Sequence, residues 1–528
     1  RAQAIAQRYA SARLFELADA DAELEALFLA WLSDPAETGS AQLFNAHSSA
    51  QVALAGRVMV EQSDLLVAVW DGRSANLAGG TGHTIAAALE RGCAVVRIDP
   101  ARPEAWHILH APESLAALPG HEDRETALGE IVRNALRPGE GGALKAGAES
   151  LAGEAWHGRS SRLNTSYRRI EAMFGGQGRP FRSLITTYEP PEDIAGGTGR
   201  AVLAAARALP AGDPQMPERI EHEVMRRFAW ADGISARLSD SYRGGMTTSF
   251  VLSSLAIVCG IAYTPFAGPD SKWMFATGEF LMLAAILLII WRGERLRWHK
   301  RWFETRRVAE YFRHAPILLL LGVARPPGRW PQGTDTSWPE YYARHALRAL
   351  GLPRMAITRD YLRMAVADLL DAHVVAQRDY HRIKARRLNR VHHRLDRLSE
   401  RLFQAAIVSV SAYLAAVGLH AVGMLSSGPF HLAGKYATFL GVMFPTFGAG
   451  LAGIRYFGDF ERFAAISQVT AEKLDGVHSR IELLLSAPDH AITYAQVAEL
   501  AHAADDIVVS EIENWQAVFG GKHISVPV

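Results

Sequence analysis

The residues in this 528-residue chain best suited to chemistry form a short glycine cluster, Gly79-Gly80-Thr81-Gly82. It follows an apolar run, Ser63–Trp70 (SDLLVAVW), and an acidic turn, Asp71-Gly72. Glycines at a helix start let backbone N–H groups approach a phosphate, and the helix dipole favours the anion. The Thr81 hydroxyl adds a donor. Trp70 and Asp71 border the same space, with Asp71 placed to meet a ribose hydroxyl. Arg57, on the preceding helical stretch, supplies a charge-assisted contact. Arg57, Trp70, Asp71, Gly79, Gly80, Thr81 and Gly82 are therefore the candidate ligand-binding set. The same glycines also suit an ordinary surface turn, so the surrounding elements must carry the argument.

Those elements read as strand, loop, helix and strand. Within Ser63–Trp70 the run from Leu65 on is continuously apolar, which predicts a strand buried on both faces. His83–Arg91 has helical composition, and Cys93–Ile98 (CAVVRI) predicts a second buried strand. Such a unit belongs to a parallel sheet with the glycines beyond a strand's carboxyl end. Residues 1–42 read as mostly helical. Between Leu115 and Gly245 the pattern is mixed, and GGTG at Gly196–Gly199 reads as linker.

Other chemistries find little support. Lys and Arg number 56 against 55 Asp and Glu, a net charge of +1, so no nucleic-acid partner is expected. Two cysteines, Cys93 and Cys259, cannot make a disulfide framework and read as packing residues. His222-Glu223 starts like a zinc-protease helix, but position 226 is Arg, and no metal site or resident cofactor is expected. No Walker lysine loop or Gly-x-Ser-x-Gly elbow occurs. Trp515 reads as a core anchor. The chain opens on Arg1 rather than Met, which is read as numbering that begins inside a longer gene product.

Four apolar runs are long enough to span a bilayer: Thr247–Thr264, Trp273–Trp291, Leu402–Met424 and Tyr436–Ile454. Short turns, Pro265–Lys272 and Leu425–Lys435, join them into two hairpins. Each turn has a single Lys, whereas Arg292–Arg307 and Arg382–Arg401 are dense in Arg. The positive-inside rule then predicts both termini and the central segment on the cytoplasmic side. The basic runs are expected to coat the membrane surface beside anionic lipid.

The hairpins read as a repeat. Trp298, Trp302, Thr305, Ala309 and Phe312 share their spacing with Phe460, Ala464, Ser467, Ala471 and Leu474, a heptad seam. Leu388, Val391, Leu395, Leu398 and Leu402 carry a third seam into span three. These seam helices are expected to continue into spans two, three and four. Small residues on the fourth span, Gly448 to Gly453, are expected to permit oligomer contacts. Glu279, inside span two, is either a functional carboxylate or a side chain near the outer interface. Pro445 is a candidate gate hinge or a packing kink.

The stretch from Gly56-Arg57 through SDLLVAVWDG, GGTGHTIAAALERG and CAVVRID resembles the SLOG superfamily of LOG enzymes, DprA and melastatin-type channel sensors. The resemblance covers residues 48–100. The paired hairpins are similar to SLATT-type membrane effectors of bacterial conflict systems. Active LOG enzymes carry a Pro-Gly-Gly-x-Gly-Thr-x-x-Glu motif; here Ala78 stands in the Pro place, His83 in the Thr place and Ala86 in the Glu place. The resemblance thus implies a phosphate cradle without the catalytic carboxylate.

The expected fold is an α/β, SLOG/Rossmann-like N-terminal domain followed by an α-helical membrane domain with four spans in two hairpins. The domains are read as 1–138 (sensor), 139–232 (linker), 233–330 (first hairpin), 331–401 (central helical region) and 402–528 (second hairpin). The resemblance implies a homo-oligomeric effector of the bacterial inner membrane, gated by a nucleotide-derived signal, that conducts or disrupts the bilayer in antiphage defence. The alternative is a membrane-anchored nucleotide hydrolase or glycosidase using the same pocket.

Overall fold

The computed structural model describes residues 14–35, 38–73, 78–116, 123–136, 149, 153–160, 164–176, 187–329 and 338–519. The first described element is a strand, β1 (Phe15–Leu17), followed by helices α1 (Asp21–Ser33) and α2 (Thr38–Glu61). Among the described residues up to 42 helix predominates, as read from the sequence, with the short β1 as the exception. Then come β2 (Leu65–Val69), α3 (Thr81–Glu90), β3 (Ala94–Asp99) and β4 (Arg102–Leu109). β2 pairs in parallel with β3, Leu65 opposite Ala94, and β3 pairs antiparallel with β4. The expected strand–loop–helix–strand unit is present in a small three-stranded sheet of order β2-β3-β4.

One expectation about it fails. β2 is buried on one face only. Leu66 and Ala68 join Ile85 and Leu89 in a core cluster, while Val67 and Val69 are 60% and 58% exposed. A continuous apolar run does not reveal whether a second layer covers the sheet.

Helices dominate the rest: α4 (Arg124–Leu136), α5 (Ser166–Gly175), α6 (Arg200–Ala208), α7 (Met216–Phe266), α8 (Lys272–Arg295), α9 (Trp298–Leu320) and α10 (Trp338–Leu350). Strand β5 (Met355–Ile357) lies inside the central region read as helical, and pairs in parallel with β1. Then follow α11 (Arg359–Ala421), α12 (Ser427–Gly458), α13 (Phe460–Ser486) and α14 (Tyr494–Phe519). The largest core cluster draws on α7, α9, α10, α11, α13 and α14.

Four helices, α7, α8, α11 and α12, are long and apolar enough to cross a membrane. α7 packs on α8 and α12, and α12 packs on α11. The apolar stretches of α8 and α11 are only 11% and 6% buried within the chain, against 39% for α7. Apolar side chains left bare over such lengths suit contact with lipid. The Phe266 ring lies 5.3 Å from that of Phe439, so both hairpin turns sit at one end. The glycines of α12 are occupied inside the chain: a Cβ at Gly450 would strike Ser254, and one at Gly453 would strike the Phe250 ring. They join spans one and four, so they give no support to the oligomer contact expected of them.

Both seams are buried stripes, from Trp298 to Phe312 on α9 and from Phe460 to Leu474 on α13. The helices bearing them do not continue unbroken from the spans, contrary to expectation. Arg297 and Asp459 adopt left-handed backbone angles, φ 48° and 44°, and separate α8 from α9 and α12 from α13. Each residue precedes its aligned alanine, Ala309 or Ala471, by twelve positions, so the repeat extends to the backbone. The third seam behaves as expected: α11 carries Leu388 to Leu402 unbroken from the extramembrane body into span three, and α7 runs unbroken into span one. Each contains a π turn near its start, Glu221–Met225 and Ala365–Asp371. α7 runs straight through position 233.

Candidate functional site

Gly80 caps the start of α3, and its extended angles (φ −69°, ψ 164°) set up the helix start beyond the end of β2. The Gly80 carbonyl accepts the Thr84 N–H at 3.0 Å and the Thr84 hydroxyl at 3.2 Å. Gly79 has φ +83°, and a Cβ there would meet the Ser49 carbonyl at 2.8 Å and Ala53 N at 3.0 Å. Glycine is thus required both by conformation and by the close approach of α2. At Gly82 a Cβ would meet the Trp70 indole at 3.0 Å. Trp70 therefore lies across the first turn of α3, and its Nε1 donates to the Arg73 carbonyl at 2.8 Å.

The structure brings together Trp70, Gly79, Gly80, Thr81 and Gly82. Thr81 is exposed. Asp71, exposed beside Gly72, accepts the Arg73 N–H at 3.0 Å. Arg97 was not singled out by sequence reasoning, yet its guanidinium sits 5.1 Å from the Trp70 ring. It comes from β3, opposite Ala68, which no local spacing could have revealed.

Arg57 is directed elsewhere. Its Nε donates to Glu61 at 2.8 Å and its Nη1 to Glu499 at 2.7 Å. Glu61 also meets His502 Nε2 at 2.9 Å and accepts the Ala324 N–H at 3.3 Å. Burial raises the Glu61 carboxyl, but His502 and Arg57 outweigh it and hold the group below its ordinary range. Arg57 thus binds the end of α2 to α14. A second tie joins Gly328 N to the Arg91 carbonyl at 2.7 Å. The small sheet is docked on the helical body.

In the apolar helices, the Glu279 carboxylate lies against Gly260, where a Cβ would crowd it, between spans one and two. Gly260 is near the turn end of its helix. Pro445 lies within an unbroken α12. One residue on, the Thr446 carbonyl accepts the Ser254 hydroxyl at 3.3 Å. The basic runs do more than coat a surface. Arg307 is buried with Glu340 at 3.4 Å, Arg301 is bound by Glu154, and Arg382 meets Asp475 at 2.9 Å. Burial pushes the Cys93 thiol up to about 11, as suits a packing residue. Among the described residues no cluster of His, Cys, Asp or Glu could hold a metal.

The chain therefore joins a small α/β unit to a helical body with four candidate membrane spans. Compared with known families, curated proteins and solved structures, it matches none.

Proposed function

We propose that this protein is a membrane effector gated by a nucleotide-derived signal, of the bacterial defence type, with its extramembrane body on the cytoplasmic side of the inner membrane. The glycine turn and Trp70 receive the signal, and the spans conduct or disrupt the bilayer. The observation that carries this reading is the mechanical path. The glycine turn rests on α2, α2 is tied through Glu61 to His502 of α14, and the body it joins is built on α7 and α11, which enter the membrane without a break. A ligand shifts such a body only by binding its two states unequally. The SLOG-like and SLATT-like resemblances support the same reading, and Ala86 in place of the catalytic Glu favours sensing over turnover.

The test is leakage from dye-loaded anionic liposomes containing the full chain, against a panel of nucleoside mono- and diphosphates and dinucleotides. At least one should release dye. Gly80→Trp should insert equally, since its φ suits any residue, and should respond at least about tenfold more weakly, as expected when an anchoring phosphate contact of ~1.4 kcal/mol is lost. No release with any member, or an unchanged response in Gly80→Trp, would defeat the proposal.

A further inference from the structure

A cavity of about 350 Å³ lies in the helical body, away from the glycine turn, where α5, α7, α9 and α11 meet beside Phe463 and Trp515. Six cationic side chains and two carboxylates line it. Asp240 and several cations are already engaged, and the other carboxylate, Glu171, is hydrogen-bonded by the Tyr167 hydroxyl. Asp240 accepts from Arg168 Nε at 2.5 Å and from the Tyr188 hydroxyl at 2.8 Å. Arg306 is bound by Asp232 at 3.0 Å and by Glu310, and Lys384 stands 3.7 Å from Glu511.

Among the described residues Arg243 has no such carboxylate. Its guanidinium lies over the rings of Trp302, Tyr167 and Phe463 at 4.7, 5.0 and 5.1 Å. Its Nη1 donates to the Tyr167 hydroxyl at 3.4 Å. Its Nη2 is buried without an acceptor, and so is Nε of Arg387 on the same cavity. Buried guanidinium donors without acceptors are costly, and a phosphate group supplies several acceptors at once. The Tyr380 hydroxyl, also on the wall, reports the same field: Lys384 beside it, with Arg306, outweighs burial and holds it below its ordinary range.

We infer that this cavity is a second ligand site, which takes a phosphate-bearing anion between Arg243, Lys384 and Arg387. Its volume suits a molecule of nucleotide size. Two sources carry the chemistry: a free organic phosphate and a phospholipid headgroup. α7 and α11, which supply these three residues, are the helices that enter the membrane unbroken, so occupancy bears directly on spans one and three. The inference is independent of the glycine turn.

The test uses the full chain in two arms. In detergent, AMP and pyrophosphate are titrated by calorimetry and by tryptophan fluorescence, which Trp302 and Trp515 report. In nanodiscs, phosphatidic acid is compared with phosphatidylcholine by the same fluorescence. Saturable binding in the first arm identifies a free phosphate, and a response to phosphatidic acid alone identifies a lipid. In the responding arm, Arg387→Ala should weaken binding at least about tenfold. Arg169→Ala, at an exposed wall position, gives a second variant that keeps the fold and should weaken binding several-fold. No saturable response in either arm, or wild-type affinity in both arginine variants, would overturn the inference.

Discussion

His314 and His373 meet inside the helical body, Nδ1 to Nε2 at 2.9 Å. Burial holds His373 well below its ordinary range and lowers His314 to about 3. Glu310 pulls His314 the other way, while Arg325 and Arg313 add to the lowering. His381, facing Glu511 and Lys384, is lowered by burial to about 4. A histidine kept neutral in the fold takes up its proton in the unfolded chain from about pH 6.5 downward. The unfolded state then binds more protons, so stability falls as pH drops from about 6.5 toward 4. Each such ring contributes up to about 1.4 kcal/mol per pH unit in that window. The melting temperature in neutral detergent should therefore decline across it. His381→Gln, which cannot titrate, should show a shallower decline; an identical slope would mean that this ring is not kept neutral. No spacing in the sequence pairs His314 with His373, because the contact joins side chains 59 residues apart on different helices.

At the scale of the element, the breaks at Arg297 and Asp459 matter most. Each lets the chain leave an apolar helix and start a second helix whose seam faces the core. A side chain with a Cβ pays about 1 kcal/mol or more in the left-handed region, which glycine avoids. Arg297→Gly should therefore raise stability by about 1 kcal/mol, and Arg297→Val should lower it by a similar amount, both read by chemical denaturation of the extramembrane signal. Equal stability in the three proteins would show that the angle relaxes freely. The seams were legible because burial follows a 3.5-residue repeat written in residue types. The breaks were not, since neither Arg nor Asp in a charged run announces a left-handed turn. The partial burial of β2 was hidden for a related reason, as residue types record affinity for a core and not the number of layers present.

For the whole molecule, the order of the apolar helices, with α8 and α11 outermost and α7 against α12, makes one bundle of two hairpins. Phe266 beside Phe439 places both turns at one end. Cysteines introduced at Ser271 and Ser426 should both react with an impermeant reagent added to the same side of intact cells or sealed vesicles. Labelling of one and protection of the other would split the hairpins and overturn the bundle.

The chain's residue types and their periods specify the apolar runs, the heptad stripes, the duplicated hairpin and the strand–loop–helix–strand unit, because each is a local pattern of burial preference. Long-range packing decides the rest. It pairs β1 with β5 across 340 residues, turns Arg57 from the glycine turn toward Glu61 and Glu499, brings Arg97 over Trp70, and closes a cavity around Arg243 and Arg387. Periodicity says which face of an element avoids water. It does not say which distant element covers that face, and the partner of each charged side chain is settled only when the elements dock.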